Sequence, residues 1–180
     1  IPSNLSFEEA AAIPEVFSTA YQALFWLGDL KDNQSVLIHG GASGVGTAAI
    51  QLARKLRRDV TVVVTASNEQ KLEACRQLGA TELINYKTQP DFDKIIKQKL
   101  PGRGVDLIID YIGGSYLERN IHALRVDGKM VLLGLLGGAS TPGSISLASI
   151  LMKRLSIIGS TLRSRSLEYR SRLAQELTDN

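Results

Sequence analysis

The sequence predicts an α/β domain built on a doubly wound parallel sheet of six strands, preceded by a helical lead-in. Three observations predict it. The apolar runs are short and rich in Val and Ile, as strands covered on both faces require. They alternate with stretches of helical periodicity, the pattern of successive βαβ units. The chain is 180 residues long, with no repeat, low-complexity tract or linker, enough to bury one sheet between two helical layers.

The lead-in comes first: residues 7–13 and 17–26 read as helices separated by Pro14. Residues 36–39 form the first strand and 45–56 the first helix of the winding. A second strand over 60–65 is followed by a helix over 70–78. A short third strand covers 83–85. Residues 92–100 read as a helix stopped by Pro101-Gly102, and 105–110 as a strong fourth strand. Residues 117–124 are helical, 130–135 the fifth strand, and 156–161 the sixth. A last helix runs from about 167 to 177. The order of elements is that of a sheet whose two halves wind in opposite directions.

Composition narrows the function. Apolar residues make up 44% and charged residues 22%, with 21 basic against 18 acidic side chains and a net charge of +3. The basic residues are scattered, with no long run interleaved with aromatics, so the balance argues against nucleic acid as the main partner. A mildly basic enzyme that binds an anionic cofactor is the simpler reading. One cysteine, Cys75, excludes an intrachain disulfide framework and any multi-thiolate zinc site. No run reaches membrane-spanning length and no signal peptide opens the chain. A reducing, cytoplasmic setting follows. The chain begins at Ile1 and ends at Asn180 just after a helix-like stretch, and it reads as a piece excised from a larger enzyme.

The sharpest signal is Gly40-Gly41-Ala42-Ser43-Gly44-Val45-Gly46, set between a predicted strand and helix. Against G-x-G-x-x-G, Gly41 and Gly46 take the first and third positions, and Ser43 replaces the second glycine. Gly41 is expected to permit the tight turn and Gly46 the close packing of the helix. Free N–H groups at the helix start, with the positive end of its dipole, favour a pyrophosphate. Ser43 can add its hydroxyl.

The end of the second strand chooses between cofactors. NAD sites usually place an acid there for the ribose 2′-hydroxyl. This strand runs into Thr65-Ala66-Ser67 without one, and Glu69 lies slightly beyond. Ser67 and Lys71 can instead bind a 2′-phosphate by hydrogen bond and charge. Ser67 can equally N-cap the next helix, with Gln70 completing a capping box. The missing acid favours NADPH. Tyr86, after the third strand, either meets the adenosine end of a cofactor or packs at the rim.

Other chemistry-bearing residues read as structural. His39 is a strand residue better suited to packing than to acid–base work, and His122 sits on a helix far from the glycine turn. Cys75 shares a helix face with Leu72 and Leu78, which favours core packing over redox chemistry. Asp106 and Asp110 are too far apart along one strand to act as an acid–base pair. Tyr21, Phe25 and Trp26 form a packing face, and Arg163, Arg165, Arg170 and Arg172 a solvated helix face. Two histidines and one cysteine without ligand spacing argue against a metal site.

Together these residues resemble the medium-chain dehydrogenase/reductase superfamily, and within it the zinc-independent quinone oxidoreductase branch that includes zeta-crystallin. The resemblance is carried by Ala11-Ala12-Ile13-Pro14-Glu15, Thr19-Ala20-Tyr21-Gln22, the run from His39 to Ala53, Leu78-Gly79-Ala80, Ile84-Asn85-Tyr86 and Asp110-Tyr111-Ile112-Gly113-Gly114. Gly113-Gly114-Ser115-Tyr116 and Leu162-Arg163-Ser164-Arg165 resemble the tumour-suppressor-inducible quinone oxidoreductase subgroup.

The resemblance implies hydride transfer from NADPH to a quinone. It implies that Ser43, Gly44, Val45 and Gly46 hold the pyrophosphate and that Ser67, Lys71 and Tyr86 surround the 2′-phosphate. Thr19 is then near the nicotinamide half, and the backbone of Gly134 and Leu135 meets the carboxamide. Relatives often have glycine where Ala66 precedes Ser67. The resemblance also implies a GroES-like catalytic domain outside these residues, which leaves the catalytic residues unnamed, and a homodimer paired along the edge of the sixth strand. A metal-free enoyl or alkenal reductase, or a crystallin-like protein that binds RNA or a partner, are the alternatives.

Overall fold

The computed structural model describes residues 1–100, 102 and 104–180. Its centre is a six-stranded sheet of β1 (Ser35–Ile38), β2 (Thr61–Ala66), β3 (Glu82–Asn85), β4 (Val105–Asp110), β5 (Leu124–Leu132) and β6 (Ser156–Gly159). The order across the sheet is β3-β2-β1-β4-β5-β6 and every pairing is parallel. This is the doubly wound dinucleotide-binding order, which reverses direction at β1. The fold is Rossmann-like, as the sequence predicted.

Alternation along the strands divides the core in two. Val36, Ile38, Val62, Val64, Leu107 and Ile109 face one layer, whereas Leu37, Val63, Ile84, Val105 and Ile108 face the other. Side chains of a strand point to opposite faces at successive residues, so both faces must be covered. Helices α1 (Phe7–Ala11), α2 (Pro14–Tyr21), α3 (Gly44–Leu56), α4 (Glu69–Gln77), α5 (Phe92–Lys99), α6 (Leu117–Ala123), α7 (Leu147–Lys153) and α8 (Leu167–Asp179) complete the chain. Each fully buried Ile or Leu, such as Ile38 or Leu107, contributes roughly 1.5–3 kcal/mol by leaving water.

Several boundaries differ from the sequence reading. The lead-in does form two helices, but Pro14 is the first residue of the second, α2, and not a break between them; its missing N–H costs nothing there. That helix passes into a π-helical stretch, Gln22–Leu27. Ser67 does not cap α4. Asn68 does, its side chain accepting from the Lys71 N–H at 2.9 Å, so the Ser67–Gln70 capping box is not formed. β5 begins at Leu124, before Met130, and accommodates a register shift near Asp127, which takes a left-handed φ of 61°. It stops at Leu132 because the chain then bends toward the loop after β4, with Leu136 N donating to Tyr111 O and Gly137 N to Ile112 O. Sequence reasoning missed α7, a short helix capped by Ser146 with no buried residue. The predicted Pro101 stop lies outside the described residues.

β6 is a sheet edge, largely exposed. Among the described residues no helix is long and apolar enough to cross a membrane.

Candidate dinucleotide site

The turn between β1 and α3 shows how its glycines divide the work. Gly40, not Gly41, takes the left-handed conformation, with φ +55°, and so makes the tight turn. Gly41 is needed for space: a Cβ there would meet Val64 Cβ at 2.8 Å and Cys75 Sγ at 3.1 Å. A Cβ on Gly46 would lie 2.5 Å from the Gly40 carbonyl oxygen, so the helix packs on its own entry turn only with glycine there. Ser43 is the N-cap of α3, in an extended conformation, and its Oγ accepts from Gly46 N at 3.1 Å. As first-turn residues, Gly44 and Val45 have N–H groups without intrahelical acceptors. These and the helix dipole make an anion site.

Two clefts of about 490 Å³ each flank this turn, within the size range of small-molecule sites. The first, over the carboxyl ends of β1 and β2, is lined by Ser43, Ser67, Lys71 and Tyr86 among others. It thus brings together the residues that the resemblance assigned to the 2′-phosphate, and no Asp or Glu lines it. Glu69 is turned away, accepting from the Asn85 side-chain amide at 3.0 Å. The second cleft is lined by Thr19, Gln22, Ser43, Gly44, Val45, Ser160 and Arg163 among others. Ser43, Tyr111 and Leu136 line both clefts and form the seam between them. Gly41 and Gly46 support the turn from behind. Gly134 and Leu135 line a third recess beside β6.

Sequence reasoning missed Tyr111 and Tyr116. The Tyr111 ring stands against Gly40, its hydroxyl donating to the Gly40 carbonyl at 3.0 Å and bonded to Ser43 Oγ at 2.8 Å. Burial pushes its pKa up to about 12. Tyr116 packs edge-on to His39 and tilted against Phe92, which itself meets His39 edge-on, with Arg119 over the Tyr116 ring at 4.7 Å. The signal available was position: both follow β4, at whose carboxyl end a ligand must sit.

Behind the clefts runs a buried polar chain. Gly40 N donates to Thr65 Oγ1 at 3.1 Å. Thr65 Oγ1 is 3.1 Å from His39 Nδ1, and His39 Nε2 is 2.8 Å from Asn120 Oδ1. Asn120 Nδ2 donates to Asp110 Oδ2 at 3.1 Å, and Ile112 N to Asp110 Oδ1 at 2.7 Å. All bonds are satisfied in one direction if His39 is neutral and protonated at Nε2. Desolvation accordingly lowers the His39 pKa to about 4, and raises that of Asp110 to about 6. The chain ties the glycine turn to the loop after β4, so His39 packs rather than titrates near neutrality.

Cys75 is buried under Gly41, and burial raises its thiol pKa. His122 lies half-exposed, 3.7 Å from Asp93. Asp106 holds Ser35 and Arg125. Trp26 packs edge-on to Tyr169, with Arg172 over its ring.

A strand-order switch point, a glycine turn and two clefts at the carboxyl ends of the strands fit a nicotinamide dinucleotide. Comparison with known proteins supports that fit. A family model described as zinc-binding dehydrogenase matches residues 44–179. The chain belongs to that family. It thereby joins the medium-chain dehydrogenase/reductase superfamily that the sequence resembles. Among curated relatives of this dehydrogenase domain, the zebrafish (Danio rerio) synaptic vesicle membrane protein VAT-1 homolog is 42% identical over 134 residues, 74% of the chain and 27% of that protein. An NAD-dependent alcohol dehydrogenase of known structure shares 39% identity at a TM-score of 0.83, covering 98% of the chain and 49% of its own. The quinone oxidoreductase of Thermus thermophilus, solved also with NADPH, shares 30% at 0.80, covering 99% and 54%. The dehydrogenase domain thus spans about half the length of these structures and about a quarter of the VAT-1 homolog. Despite the family's description, the described residues hold no cluster of three or more His, Cys, Asp or Glu side chains fit to ligate a metal.

Proposed function

We propose that this chain is the cofactor-binding domain of an NADPH-dependent quinone oxidoreductase, close to the tumour-suppressor-inducible subgroup. One observation carries the cofactor choice: the first cleft gathers Ser67, Lys71 and Tyr86 with no carboxylate in its lining. A ribose 2′-phosphate gains a cation and hydroxyl donors there, whereas a 2′-hydroxyl finds no acid to accept from it. The diphosphate lies on the Ser43–Gly46 turn and the nicotinamide half in the second cleft near Thr19. The backbone of Gly134 and Leu135 would approach it from the loop after β5. The bound cofactor supplies the hydride. The chain's own residues hold it by its phosphates and orient its ring. The electron-poor carbonyl of a quinone would meet that ring on a wall contributed by other residues of the enzyme. The exposed edge of β6 supports pairing with a second copy.

A fluorescence titration of the chain with NADPH and NADH side by side tests the cofactor reading. Tighter binding of NADPH is expected. Equal binding would remove the 2′-phosphate argument, and no binding of either would overturn the assignment.

A further inference from the structure

Gln22 and Ser160 line the second cleft, and each has a buried side-chain atom without a hydrogen-bond partner, Gln22 Oε1 and Ser160 Oγ. Gln22 is fully buried, at the first position of the π-helical stretch. Its Nε2 donates to the Tyr169 hydroxyl at 2.8 Å. Turning the amide over would exchange which end meets Tyr169 and leave the other end alone, so one end is unpaired in either orientation. Buried polar groups are normally satisfied, and one left over beside a cavity calls for a partner, whether water, ion or ligand. π-Helical turns also concentrate at functional sites.

We propose that Gln22 and Ser160 are the side-chain partners of a primary carboxamide, that of the nicotinamide ring. This rests on the dinucleotide reading above. A carboxamide carries N–H donors and a carbonyl acceptor on one planar group, so it satisfies the Gln22 amide in either orientation. The Ser160 hydroxyl donates to the carboxamide oxygen. A quinone oxygen only accepts, and would satisfy Gln22 in one orientation alone. The pair supplies specific side-chain recognition, in addition to the backbone contacts that the resemblance assigns to Gly134 and Leu135, which line the neighbouring recess. Gln22 is thereby a specificity-determining residue for the head of the cofactor.

The test is equilibrium binding of three probes to the chain and to its Gln22→Met and Ser160→Ala variants. The probes are NADPH, its 3-acetylpyridine analogue, which keeps the carbonyl but lacks the N–H donors, and 2′-phospho-ADP-ribose, which lacks the ring. The wild-type chain is expected to prefer NADPH over the analogue by about tenfold, the scale of one hydrogen bond. Gln22→Met brings that ratio toward one and leaves 2′-phospho-ADP-ribose binding unchanged, which also shows that the variant is folded. Ser160→Ala weakens NADPH and the analogue alike by about three- to tenfold. A wild-type chain that does not distinguish the two, or a folded Gln22→Met that still does, overturns the inference alone. Failure of the wild-type chain to bind either NADPH or 2′-phospho-ADP-ribose overturns the dinucleotide reading beneath it.

Discussion

The Ser43 hydroxyl donates to the phenol oxygen of Tyr111 across 2.8 Å, because the single Tyr111 proton is committed to the Gly40 carbonyl at 3.0 Å. Ser43 Oγ also accepts from Gly46 N, and the one proton it could offer a diphosphate is already committed. Tyr111 stays protonated throughout the neutral range, since burial pushes its pKa up to about 12. A ligand gains the Ser43 donor only by displacing this contact.

Tyr111→Phe keeps the ring against Gly40 and releases the Ser43 O–H. NADPH affinity should rise by about three- to tenfold, the scale of one neutral hydrogen bond. Fluorescence titration reads it. Weaker binding would mean instead that the phenol itself holds the diphosphate.

Lys71→Ala removes the cation from the first cleft while leaving its backbone N–H on the Asn68 cap. NADPH binding should fall by about tenfold or more, as for a charge-assisted contact to phosphate, with NADH binding little changed. A parallel loss for both cofactors would place Lys71 at the diphosphate or in the fold, not at the 2′ position.

The buried chain through His39 predicts a pH signature. The folded pKa of His39 is lowered to about 4, so its neutral form supports stability above the unfolded value of about 6.5. That support is lost as pH falls from about 6.5 toward 4. Asp110, raised to about 6, acts oppositely: relative stability is greatest below about 3.9, the unfolded value, and declines as pH rises to 6. The two offset one another in mild acid. His39→Leu should cost roughly 2–4 kcal/mol at pH 7, through the unpaired Thr65 and Asn120 groups. That deficit should shrink by about 2 kcal/mol at pH 5. Denaturant unfolding at the two pH values measures it, and a deficit independent of pH would mean that His39 is not held neutral.

The β6 edge gives a test of pairing. Ser160 N donates back to Leu132 O at 3.0 Å, so by alternation the Ile157 and Gly159 N–H groups face outward. Ile157→Pro therefore removes an outward donor and spares the ladder with β5. Sedimentation should show a dimer for the natural chain and a monomer for the variant. A monomeric natural chain at micromolar concentration would remove the edge-pairing proposal.

How far the site could be read from residues alone depends on the range of each contact. That Ser43, Ser67, Lys71 and Tyr86 line one cleft was legible because each follows a strand at a fixed step, and the parallel order carries all strand ends to one side. Tyr111 and Tyr116 were not, since their place in the cleft depends on how the loop after β4 folds back over the turn. The division of labour between Gly40 and Gly41 was misread for a similar reason: Gly41 is constrained by Val64 and Cys75, from two other elements. The capping alternative for Ser67 fails because two adjacent polar residues, Ser67 and Asn68, compete for one position, and only the backbone geometry chooses.

By itself the sequence determined the βαβ rhythm, the two-faced strands, the anion-binding turn and the absence of an acid at the end of β2. These are local properties, set by periodicity, by glycine's missing side chain and by the identity of a few successive residues. Only the tertiary structure decided that Tyr111 closes on Ser43, that His39 joins Asn120 and Asp110, and that Gln22 and Ser160 share one cleft. Each of those pairs brings together residues far apart in the chain, and the distance between them is set by the packing of whole helices on the sheet.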